Sequence, residues 1–149
     1  MQDNQKLLNV LRAELAFLEG GGYSNRARLP WRPNFVFEDS PTCLNFDDAT
    51  RPHPCAECPL MAFVPYLFQG ESAPCRFIAL TQAGETIDHF YQSGTQMELE
   101  EALACWLRKQ IERMTKQEAH ANPPAAPDHD AELRSCQKLE TSGQQEAAA

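Results

Sequence analysis

Four cysteines gather in the middle of the chain, Cys43, Cys55, Cys58 and Cys75, in the pattern C-x11-C-x2-C-x16-C. The two-residue gap between Cys55 and Cys58 is the spacing a tight turn needs to aim two thiolates at one metal ion. The outer pair could complete a four-sulfur shell. Zinc suits such a shell: it accepts four sulfurs in a tetrahedron and does no redox chemistry, and a full shell leaves no position open to water. Structural chemistry is therefore expected here, and hydrolysis is not. The same donors suit an iron–sulfur cluster, the alternative cofactor. Pro59 directly after Cys58 echoes the Cys-Pro of cluster loops. A redox dithiol at Cys55 and Cys58, or four buried cysteines without metal, are the other readings of these residues.

His53 is the alternative ligand. It stands two residues before Cys55 between Pro52 and Pro54, and would give a shell of three cysteines and one histidine if an outer cysteine lay too far away. His89 reads as a surface or core-edge residue, and His120 and His129 belong to the tail. Cys105 points away from the apolar stripe of its helix. It is expected to be an exposed free thiol outside the ligand set, and Cys136 sits in the tail.

Other patterns weigh less. Asp47-Asp48 is one adjacent acid pair, too common a feature to mark a cation site. Gly20-Gly21-Gly22 ends a helix instead of opening one, so it is a stop signal and not a phosphate cradle. No nucleophile elbow, phosphate-binding glycine loop or helical histidine pair is present, and no enzymatic activity is expected. Arg26, Arg28 and Arg32 cluster around Tyr23 and Trp31, a mixture able to stack on bases and grip phosphates. Against that reading stands a net charge of −8, with 11 basic against 16 acidic residues up to Glu118. A chain this acidic gains little from phosphate neutralisation, so nucleic-acid binding through this loop is the weaker alternative.

The elements that must position the cysteines follow from periodicity. Leu7, Leu8, Leu11, Leu15 and Leu18 recur at helical spacing and predict a helix over 3–19. Glu14 falls within its apolar arc, either as a snorkelling or ion-paired acid or as a perturbed, functional carboxylate. Phe35–Glu38, Arg76–Leu80 and Thr86–Tyr91 read as short strands, the last two joined by a turn at 82–85. Thr95-Gln96-Met97-Glu98 is a capping box. It opens a helix striped by Leu99, Leu103, Trp106, Leu107, Ile111 and Met114. The long irregular stretch from Asp39 to Pro59 carries Pro41, Pro52, Pro54 and Pro59, and metal ligation would explain it. Leu60 to Phe68 is apolar, either core or an exposed partner-binding patch.

The expected fold class is α+β: one small domain over 1–118, its N- and C-terminal helices packed on a short antiparallel sheet. A cysteine-rich metal-binding loop joins them, and a disordered acidic tail covers 119–149. The N-terminus lacks an apolar signal segment, which leaves a cytoplasmic setting as the default. The functional expectation is a non-enzymatic zinc-binding module for protein interaction or regulation. Its protein partner is not named by any motif.

Overall fold

The computed structural model describes residues 2–25 and 34–121. Four helices carry it: α1 (Gln2–Glu19), α2 (Gly22–Asn25), α3 (Ile87–Ser93) and α4 (Gln96–Ala121). Short 3-10 turns at Cys55–Glu57, Pro59–Phe63, Tyr66–Phe68 and Pro74–Phe77 fill the space between α2 and α3. Among the described residues, no helix is long and apolar enough to cross a membrane.

The two long helices are the ones the leucine spacing predicts. Leu7, Leu8 and Leu11 of α1 are buried, as are Leu99, Leu103, Trp106, Leu107 and Met114 of α4. The helices run antiparallel: Arg12 reaches Thr115 Oγ1 at 3.5 Å, and Glu19 takes a 2.8 Å hydrogen bond from Arg108. Burying both stripes against each other supplies most of the stability that isolated helices lack. At the start of α4, Glu98 N–H donates to Thr95 Oγ1 (3.2 Å), and Thr95 N–H donates to Glu98 Oε2 (2.7 Å). The capping box thus forms as the sequence predicts. α1 ends where the glycines stop it: Gly21 takes a left-handed φ of 74°, and a Cβ on Gly22 would lie 2.5 Å from the Phe17 ring. That close approach lets Tyr23 fold back onto α1, where its ring meets Phe17 edge-on at 4.9 Å.

The expected antiparallel sheet does not form, and the α+β assignment is corrected to a mostly helical fold. Among the described residues, strand pairing is confined to one isolated bridge, Ala79 to Thr86. Phe35–Glu38 is a turn, in which Phe37 adopts a left-handed φ of 64°. Arg76 lies in the 3-10 turn Pro74–Phe77. Thr86 pairs once and then caps α3, accepting the backbone N–H of His89 at 3.1 Å. A threonine followed by an acid in the next turn is a helix start, and here that local signal prevails over the β-branched run. His89 therefore stands in a helix, not a strand.

Proline explains the 3-10 turns. It has no N–H to donate and disfavours helix in the residue before it. Cys58 before Pro59 (ψ 130°) and Val64 before Pro65 (ψ 125°) are extended accordingly. Each proline begins a new short turn and prevents a longer helix. The segment from Val36 to Arg51 is a run of turns, with Ser40 N–H on Phe37, Cys43 N–H on Ser40, and Phe46 N–H on Cys43. Its backbone groups are paired without any ladder. The core beneath it gathers Val36, Phe37, Leu60, Val64, Ile78 and Ile87 against the helices. Trp106 joins the halves through edge contacts with Phe63 (4.9 Å) and Phe37 (6.4 Å). Leu60 to Phe68 divides between the two readings: Leu60 and Val64 are core, while Tyr66 and Leu67 are 87% and 85% exposed. The domain boundary at Glu118 falls inside α4, and the tail beyond Ala121 lies outside the described residues.

Candidate metal centre

Cys43, Cys55, Cys58 and Cys75 line one cavity of about 40 Å³. They arrive on three turns. Cys55 and Cys58 belong to a tight turn closed by Cys58 N–H on the Cys55 carbonyl at 3.0 Å, the geometry that C-x2-C spacing implies. Cys43 accepts Phe46 N–H in the preceding run, and Cys75 sits in the turn after Pro74. All four are free thiols of intermediate burial. Leu44, Pro54, Leu60, Met61, Val64 and Ala73 give the cavity a mainly apolar wall.

The sulfurs sense one another. Burial pushes the Cys58 thiol up, the backbone N–H groups of Leu60 and Met61 favour its thiolate, and Cys43 and Cys55 add repulsion. Burial pushes Cys75 well above the ordinary thiol range, with further repulsion from Glu38, Cys58, Cys43 and Cys55. Thiolates gathered this way are costly unless a cation joins them. Among the described residues, no three His, Cys, Asp or Glu side chains converge on one point as ready-made metal ligands. The four cysteines share a cavity without a closed shell.

Three devices hold the cysteine-bearing turns. Glu14 is fully buried. Its carboxylate accepts Ser40 Oγ at 2.5 Å, Thr42 Oγ1 at 2.7 Å and the Tyr23 hydroxyl, while Phe37 N–H donates to that same hydroxyl at 2.8 Å. Burial, together with the adjacent Glu14, pushes the Tyr23 phenol far above its ordinary value. Glu14 is thus neither snorkelling nor ion-paired: hydroxyl protons satisfy it. Second, Arg76 forks onto Glu38, Nε to Oε2 at 2.7 Å and Nη2 to Oε1 at 3.1 Å, while its guanidinium stacks over Phe35 at 4.2 Å. This ties the residue next to Cys75 to the segment ahead of Cys43. Third, the Asn45 side chain clasps the backbone of His53 in both directions, donating at 2.7 Å and accepting at 2.9 Å. None of the three has a local motif: the partners are 8 to 38 residues apart.

His53 itself faces outward. Its ring is about half exposed, 3.9 Å from Glu57, and it does not line the cavity. Cys105 departs from expectation: it is half-buried and disulfide-bonded, not an exposed free thiol. Asp48 is turned to its own loop, accepting Thr50 N–H and Oγ1 at 3.0 and 2.6 Å. Arg26, Arg28, Arg32 and Trp31 lie outside the described residues, as do His129 and Cys136. The chain matches no protein-family model, no curated protein and no solved structure, so its own residues carry the functional argument.

Proposed function

We propose that this chain is a non-enzymatic metal-binding module. Cys43, Cys55, Cys58 and Cys75 hold the metal as thiolates, zinc being the ion such a donor set fits, and the helices present the stapled loop for protein interaction or regulation. The observation that carries the reading is that one cavity is lined by all four cysteines, brought there by three separate turns. The metal supplies a structural tie in place of strand pairing, in a region otherwise built from short turns. A cytoplasmic setting that keeps the thiols reduced belongs to the same proposal, and the Cys105 disulfide is the feature that opposes it.

The cavity favours one second reading. Its volume of about 40 Å³ exceeds the roughly 10–15 Å³ that a single water needs. A polynuclear iron–sulfur cluster holds its four thiolates further apart than one ion does, so the same cysteines would carry it as a redox-responsive regulator. Elemental analysis of anaerobically purified protein, with a visible spectrum, decides between them. One equivalent of colourless zinc supports the structural site. Iron with sulfide and a brown colour supports the cluster. Absence of both from reduced protein that also takes up neither overturns the metal module.

A further inference from the structure

We propose that the C-terminal segment returns along α4 and docks on its outer face, pinned by a disulfide between Cys136 and Cys105 that a thiol reductant opens. The pairing follows from the cysteine count. The chain has six cysteines. Cys43, Cys55, Cys58 and Cys75 are free thiols, while Cys105 is disulfide-bonded. Cys136 is the one sulfur left within the chain to bond it. Neither residue belongs to the candidate metal centre, so the strap stands whether or not that centre binds an ion.

Chain length allows the return. α4 ends at Ala121, and Asn122-Pro123-Pro124 follows, a sequence that disfavours further helix. Cys105 lies 16 residues back from Ala121, about 24 Å along the axis at 1.5 Å per residue. The 15 residues from Ala121 to Cys136 can span about 50 Å when extended, enough to reverse direction and reach it. Cys105 is half-buried, on the side of α4 away from the buried Leu99, Leu103 and Trp106.

The charges match in one direction only. At about 100° per residue, Arg108, Lys109, Glu112 and Lys116 share the Cys105 face toward the end of α4, and Glu98 and Glu101 share it toward the start. Ahead of Cys136 the chain carries Asp128, Asp130 and Glu132 against Arg134, and Lys138 follows it. A segment antiparallel to α4 lays its acids beside the bases and Lys138 beside Glu101. A parallel one would set acids against acids. Arg108 and Lys116 already hold Glu19 at 2.8 Å and Glu112 at 2.5 Å. The ion pairs therefore set direction, and the disulfide supplies the fixed point. Opening it takes two electrons from a dithiol: the dithiol becomes a disulfide, and Cys105 and Cys136 become two thiols.

The test purifies the full chain without reductant, blocks free thiols with iodoacetamide and digests it with trypsin. Mass spectrometry should find the peptide 77–108, which holds Cys105, linked to 135–138, which holds Cys136, and dithiothreitol should separate them. Cleavage at Asp128, Asp130 and Glu132 by an acid-specific protease then reads the docking. It should be several-fold slower in oxidised wild type than in Cys136→Ser, a substitution outside the core, and dithiothreitol should raise wild type to the rate of the variant. Cys136 recovered as an alkylated free thiol, or Cys105 bonded to a second copy in a covalent dimer, overturns the pairing. A linked pair whose acids are cut as fast as in Cys136→Ser overturns the docking.

Discussion

Ser40 Oγ donates to Glu14 Oε2 at 2.5 Å across 26 residues of sequence, and the next turn after Ser40 carries Cys43. The N-terminal helix therefore helps set the position of Cys43 through a carboxylate that does not line the cysteine cavity. Glu14 receives three hydroxyl protons, so its removal strands all three donors in a dry site. Glu14→Leu should lower stability by about 3–5 kcal/mol, the range for breaking a buried charged network. Glu14→Gln, which turns one acceptor into a donor, should cost about 1–3 kcal/mol. Urea unfolding measures both, and a Leu variant as stable as wild type would show that the cage contributes nothing.

Cys58 closes the turn it shares with Cys55, and backbone N–H groups of Leu60 and Met61 favour its thiolate against the effect of burial. Cys58→Ser should abolish stoichiometric metal and lower stability by several kcal/mol, on the order of the large losses that follow metal removal. Cys105→Ser should leave metal content unchanged, because Cys105 is disulfide-bonded and does not line the cavity. Equal metal loss in the two variants would dissolve the ligand assignment.

Arg76 faces a nearly buried Glu38, whose side chain is 9% exposed. Lysine can neither fork onto both oxygens nor stack over Phe35 in the same way. Arg76→Lys should cost about 1–3 kcal/mol and speed metal release, since Cys75 is its neighbour in the chain. Thermal melts and chelator kinetics read the two effects separately. Loss of stability without faster release would confine the pair to a scaffold role.

The apolar run from Leu60 to Leu67 should respond in two opposite ways. Leu60 is 2% exposed and Leu67 is 85% exposed. Leu60→Ala should destabilise by about 2–5 kcal/mol, and Leu67→Ala by no more than about 0.5 kcal/mol. Comparable losses from both would mean that Leu67 is covered in solution.

Glu98 is held below its ordinary value of 4.5 by the Thr95 N–H and hydroxyl. A depressed carboxyl contributes stability that is present above its unfolded value and lost as pH falls through the folded one. The melting-temperature gap between wild type and Glu98→Gln should therefore be full near neutral pH and shrink as pH falls below the ordinary value of 4.5. A gap that stays constant from pH 7 to pH 3 would contradict a role for the ionised cap.

The parts of this fold that depend on local signals were legible in the sequence. The leucine spacing of α1, the Thr95–Glu98 box and the Cys55–Cys58 turn each need only a few consecutive residues. The strands failed because short β-branched runs are ambiguous, and a threonine cap and a proline turned them into helix and 3-10 turn. Of the candidate site, the four cysteines were visible but their supports were not. Asp39-to-Pro59 looked structureless because its order comes from Glu14, Glu38–Arg76 and the Asn45 clasp, all pairings distant in sequence. Glu14 gave one signal, an acid within an apolar arc.

The antiparallel run of α1 and α4 gives the molecule two poles. Arg12 lies beside Thr115 and Glu19 beside Arg108, so Gln2 and Ala121 project toward the same pole, and Trp106 anchors the cysteine turns toward the other. At 1.5 Å per residue, Ala121 stands about 20 Å along the axis from Trp106. A fluorophore pair attached at Gln2 and Ala121 would thus read the splaying of the helices directly, while leaving the cysteine pole chemically untouched.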